Sequence, residues 1–186
     1  MSRMKVFNVI SFFFLFFFLA SSASAGSDST PETPHKWLRS FGVVTGYGIA
    51  PLEDNSSDYE VVPLLYQFSF DINLLAEKLH IKSHQTNFEL LVEPFTNVVV
   101  SPGTNAEIGC SFFLRYSVKL STWIAPYLEV GLGFVYTTQH VHEQGSQSNF
   151  LTQPGIGAQF FIGKHYALTV GYRYRHMSNA GMATPN

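Results

Sequence analysis

Ala106-Glu107-Ile108-Gly109-Cys110-Ser111-Phe112-Phe113-Leu114-Arg115-Tyr116-Ser117-Val118-Lys119-Leu120 decides the fold. Side chains along a strand alternate between two faces. Ile108, Cys110, Phe112, Leu114, Tyr116, Val118 and Leu120 therefore share one face. Glu107, Gly109, Ser111, Phe113, Arg115, Ser117 and Lys119 share the other. A helix would mix these two sets around its circumference. The stretch is an amphipathic strand, and its polar face carries charges of both signs.

The same period of two runs through the rest of the chain from Leu38. Phe41, Val43, Tyr47 and Ile49 align within Ser40–Ala50. Val62, Leu64, Tyr66, Phe68 and Phe70 oppose Gln67, Ser69 and Asp71. Phe88, Leu90 and Val92 oppose Glu89, Leu91 and Glu93. Leu128, Val130, Leu132 and Phe134 oppose Tyr127, Glu129, Gly131 and Gly133. Asn149–Ile162 and Tyr166–Ser178 complete seven strands of about 10 to 14 residues, enough to cross a bilayer when tilted. The alternation also suits a soluble barrel with its apolar face inward. The charges choose between the two. Glu89, Glu93, Glu107, Arg115, Glu129, Arg173 and Arg175 all oppose the apolar face, and buried charges are found in opposite-sign pairs. The predicted fold is all-β: a transmembrane antiparallel up-and-down barrel of the eight-stranded type, with about seven strands in this chain. An odd number leaves two sheet edges that lipid cannot satisfy, so an eighth strand beyond Asn186 is expected. Leu74, Leu75, Lys78 and Leu79 have helical spacing, which places a short amphipathic helix within Ile72–Thr86.

The chain has 186 residues, 13% charged and 16% aromatic, with a formal net charge of -2. That charge excludes the basic footprint of a nucleic-acid binder. Cys110 is the single cysteine, so neither an intrachain disulfide nor a cysteine metal cluster can form. Arg3 and Lys5 precede an apolar run from Val6 to Ala20, and Ala23 and Ala25 have the spacing of a cleavage site. Residues 1–25 read as a signal peptide for Sec export, residues 26–37 as a mobile N-terminal segment, and residues 38–186 as the barrel. With a barrel behind it, such a leader directs the protein to the bacterial outer membrane. Trp37 and Trp123 read as membrane-interface anchors. His140, His142 and Glu143 in one loop, and His80 and His84 at helical spacing, lack a complete ligand set; no metal and no cofactor are expected.

The last strand carries the candidate chemistry. Leu168, Val170, Tyr172, Tyr174, His176 and Ser178 share its apolar face, which ends in an imidazole and a hydroxyl. A serine that attacks an ester needs a base, and imidazole commonly supplies it. Asn179-Ala180-Gly181 follows as a turn, where a side-chain amide and a glycine N–H can serve as an oxyanion hole. The same H-x-S spacing also fits a rim histidine next to a turn serine.

Arg175-His176-Met177-Ser178-Asn179-Ala180-Gly181, followed by Pro185-Asn186, resembles the signature of the PagL lipid A 3-O-deacylase family. Glu93-Pro94-Phe95 and Gly155-Ile156-Gly157 resemble further segments of those barrels. The resemblance implies an eight-stranded outer-membrane serine esterase acting on the lipid A of lipopolysaccharide. Ser178 would be its nucleophile, His176 its base, and Asn179 with the Gly181 N–H its oxyanion donors. The family's triad acid lies on its last strand, beyond the final residue of this sequence. A non-catalytic small outer-membrane barrel, an inactive deacylase-like fragment and a soluble lipid-binding barrel are the competing readings. A homodimer is compatible with the sequence, which carries no signal for or against it.

Overall fold

A computed structural model describes residues 11–15, 37–51, 58–80, 85–139 and 146–182. In chain order the strands are β1 (Ser11–Leu15), β2 (Leu38–Thr45), β3 (Tyr47–Pro51), β4 (Asp58–Asp71), β5 (Thr86–Ser101), β6 (Asn105–Val118), β7 (Ile124–Thr137), β8 (Ser148–Ile162), β9 (Tyr166–Tyr174) and β10 (His176–Ser178). The single helix among the described residues, α1, is Asn73–Lys78. β2 and β3 keep one register against β4, with Thr45 opposite Leu64 and Gly48 opposite Val61. β9 and β10 likewise keep one register against β8, where Gly155 faces Arg173 and Thr152 faces His176. Each pair is one strand with a local break. From Leu38 onward the sheet thus has the seven antiparallel strands that the alternation predicts.

β4 to β8 contain 14 to 16 residues each. At about 3.3 Å per residue, 14 residues reach about 46 Å, or about 33 Å across a bilayer when tilted by ~45°. That is the thickness of a hydrocarbon core. β5 runs further than its side chains suggest, because Val99 pairs with both Val61 and Asn105. Val99, Val100, Ser101 and Asn105 all belong to the ladder, since backbone pairing continues where apolar alternation fades.

Burial is inside out, as the charges require. Glu93 is fully buried and Arg115 is 2% exposed, whereas Leu114, next to Arg115 on β6, is 55% exposed. Arg173 clasps Glu93 with two hydrogen bonds, of 2.6 and 2.8 Å, and reaches Glu129 at 2.5 Å. Arg115 donates to the other Glu129 oxygen at 2.8 and 2.9 Å. The guanidinium of Arg173 also lies 3.9 Å from the centre of the Phe113 ring. Phe113 stands on the polar face for this reason, and Gly131 opposite it leaves the space: a Cβ there would sit 2.3 Å from the ring. The lumen is thus packed with paired charges and rings.

Seven alternating strands leave the first and last strands parallel to one another. Only a strand antiparallel to both can join them, and β1 does so. Phe13 lies opposite Tyr172 on β9 and Tyr47 on β3. The sequence reading left these edges unpaired; here they are bridged over five residues of β9 and three of β3. β1 belongs to the segment read as a signal peptide. The rest of residues 1–36 lies outside the described residues.

α1 is shorter than the predicted segment. Asp71 Oδ1 accepts the Asn73 N–H at 2.8 Å, and Asn73 Oδ1 accepts the Phe88 N–H at 2.9 Å. These bonds tie the helix start to β5 at the end of the barrel opposite His176. Short turns at Leu120–Trp123 and Gly163–His165 occupy that same end.

Candidate active site

The site is built by what lies beneath it. Arg175 interrupts the strand between β9 and β10, and its guanidinium turns inward to Glu107 at 2.8 Å. Glu107 also accepts from the Tyr59 hydroxyl and, at 2.7 Å, from the Asn97 amide. Two residues on, Met177 packs inward against the cluster of Val44, Leu65 and Leu151. With residues 175 and 177 fixed inside, the pleat turns His176 and Ser178 outward together.

There they meet β8. His176 lies opposite Thr152 and Ser178 opposite Phe150. The Phe150 ring stands 6.3 Å from that of Phe134, edge to face. Leu132 faces Thr152 on the far side and is exposed. Val170 and Tyr174 are exposed on the same outer surface, while Leu168 and Tyr172 are half-buried. A hydroxyl and an imidazole thus border a continuous apolar wall.

A tight turn follows. The Met182 N–H donates to the Asn179 carbonyl at 3.1 Å. Ala180 and Gly181 between them have φ of 55° and 79°. Two left-handed residues in succession are what a type I′ turn requires, and alanine there is strained by about 1 to 2 kcal/mol. The Ala180 N–H donates to Ser178 Oγ at 3.0 Å, and the Gly181 N–H to Asn179 Oδ1 at 2.9 Å. Asn179 itself is buried, 2% exposed.

His176 and Ser178 therefore share the outward face of β10, two residues apart. Asn179 and Gly181 are also adjacent, but the Gly181 N–H points at the Asn179 side chain. Among the described residues no carboxylate is paired with the His176 ring. Glu89, Glu93 and Glu129 all belong to lumen networks: Glu89 accepts from Ser69 and lies 3.4 Å from Arg39. The described residues hold no cluster of three metal-ligating side chains. His84, His140, His142 and Glu143 lie outside them. Reading the sequence missed Thr152 and Phe150 as neighbours and Arg175–Glu107 as the anchor. These are contacts across strands, which no local spacing encodes.

A closed antiparallel sheet with a charged, filled lumen and an apolar outer wall is the architecture of a membrane β-barrel of outer-membrane type. The particular family is also defined. A family model described as lipid A 3-O-deacylase (PagL) matches residues 64–186, from β4 through the turn after Ser178, and the chain belongs to this family. No curated protein and no solved structure matches the chain.

Proposed function

We propose that this chain is a lipid A 3-O-deacylase embedded in the bacterial outer membrane, exported through the Sec pathway by a signal peptide cut after Ala25. It hydrolyses the ester-linked acyl chain at position 3 of lipid A in the outer leaflet. Ser178 Oγ attacks the acyl carbonyl as His176 takes the hydroxyl proton. The bond from the carbonyl carbon to the sugar oxygen then breaks, and the imidazolium returns its proton to that oxygen. Water, deprotonated by His176, attacks the acyl-serine, releases the fatty acid and restores the serine hydroxyl. The Asn179 side-chain amide and the Gly181 N–H stabilise the oxyanion. The Gly181–Asn179 contact keeps these two groups adjacent, and the N–H is shared with the oxyanion once substrate binds. The chemistry calls for no metal and no cofactor.

One observation carries this reading. Ser178 and His176 stand on the outward, apolar face of the barrel at its rim, and that span falls within the family match. A substrate whose acyl chains already lie in the membrane needs no enclosed pocket. The chains would lie along Phe150, Phe134 and Leu132 on one side of the pair and Val170 and Tyr174 on the other. The short turns at the far end fit a periplasmic placement, with the site at the outer leaflet.

The test is release of fatty acid from lipid A in liposomes. Ser178→Ala and His176→Ala are each expected to abolish release while the barrel keeps its heat-dependent gel mobility. Asn179→Ala is expected to slow release about 10²- to 10³-fold. Undiminished release by folded Ser178→Ala would overturn the serine-esterase reading in favour of a non-catalytic barrel.

A further inference from the structure

A second apolar groove lies at the opposite end of the barrel. α1 stands off the outer wall and leaves a groove of about 410 Å³. Ile72, Leu75, Ala76 and Leu79 form one side; Phe88, Leu114, Tyr116, Leu128 and Val130 form the other. The second set comes from the outward faces of β5, β6 and β7. The volume is within the range of small-molecule pockets, and an elongated apolar chain suits such a lining.

Charge identifies the occupant. Every described lysine lies at this end: Lys78 in the last turn of α1, Lys119 after β6, and Lys164 in the β8–β9 turn. The acidic Asp71 and Glu89 at this end lie 3.8 and 3.4 Å from Arg39, and Glu77 precedes Lys78 on α1; Asp58 and Glu60 lie at the His176 end, at the start of β4. Lys78 directly precedes Leu79 of the groove, and Lys119 follows Tyr116 of its far wall by three residues. Both lysines are exposed, and neither makes an ion pair among the described residues.

We propose that the groove between α1 and the barrel wall binds one anionic phospholipid of the periplasmic leaflet. An acyl chain enters between Ala76 and Leu114, and Lys78 and Lys119 hold the headgroup phosphate. The site is distinct from the esterase site and carries no chemistry. It anchors the helix at the membrane interface and fixes the depth of the barrel.

Native mass spectrometry of the full chain, released from micelles containing palmitoyl-oleoyl phosphatidylglycerol or phosphatidylcholine, tests this. One phosphatidylglycerol is expected to stay bound, with about tenfold preference over phosphatidylcholine. Lys78→Gln with Lys119→Gln should remove the preference without changing deacylation. Ala76→Phe should fill the groove and remove the adduct; Leu114→Trp, which fills it from the rigid strand side, serves if the helix variant misfolds. Ser178→Ala should leave lipid retention intact, which separates this site from the esterase reading. Equal retention of the two lipids, an adduct that survives both filling variants, or a lipid-free dimer in place of the adduct would each overturn the proposal.

Discussion

The wall made of β5, β6, β7 and β8 and the seam where β9 meets β1 and β3 solve the same problem differently. In the wall, β5 and β6 pair from Thr86–Val118 to Val99–Asn105 without a register shift, and β7 pairs with β8 from Ile124–Phe160 to Tyr136–Ser148. Among the described residues the seam rests on five residues of β1. The candidate active site lies beside the seam and not in the wall. Beyond Tyr174 the pairing among the described residues is with β8, through Thr152 and Phe150 opposite His176 and Ser178. Inward anchors supply the rigidity that backbone pairing does not: Arg175 on Glu107, and Met177 in the apolar cluster. Stability and access are thereby divided between two parts of one sheet.

Processing is the strongest way to break this comparison, because it removes a whole strand. Cleavage after Ala25 takes β1 away and opens β3 and β9 to another partner. Mature protein in the membrane fraction is expected to begin at Gly26, as intact mass would show. A mass that retains Met1 would mean that the leader segment itself closes the barrel.

Next in size is the charge network that links the two regions, since Arg173 on β9 holds Glu93 on β5 and Glu129 on β7. Arg173→Met leaves Glu93 buried without its cation and Glu129 with Arg115 alone. Breaking a buried pair in this way costs about 3 to 5 kcal/mol, measurable as a lowered midpoint in urea unfolding from liposomes. A midpoint unchanged from the parent would show that the network is incidental to stability.

Phe112→Arg sharpens the comparison by placing a charge on the lipid face at mid-wall, at a cost of about 2 to 4 kcal/mol. The same change at the rim, Phe150→Arg, should cost only about 0 to 1 kcal/mol. If the two variants unfold alike, the outer face is not lipid-facing.

The sequence by itself determined the strands, their faces and the sign of the barrel. Alternation is a local property of the chain, and a charge of each sign on one face leaves a single physically acceptable inside. His176 and Ser178 were legible for the same reason: two residues apart on a strand, they must share a face. The tertiary structure decided the rest. Register set Phe150 and Thr152 beside the pair, and closure put Arg175 on Glu107 beneath it; both join residues far apart in sequence. Closure also brought Ser11–Leu15 to the open seam, because backbone edges accept any antiparallel strand that reaches them. The groove under α1 was hidden too, since the helix and the three strands that face it are adjacent only once the sheet has curled.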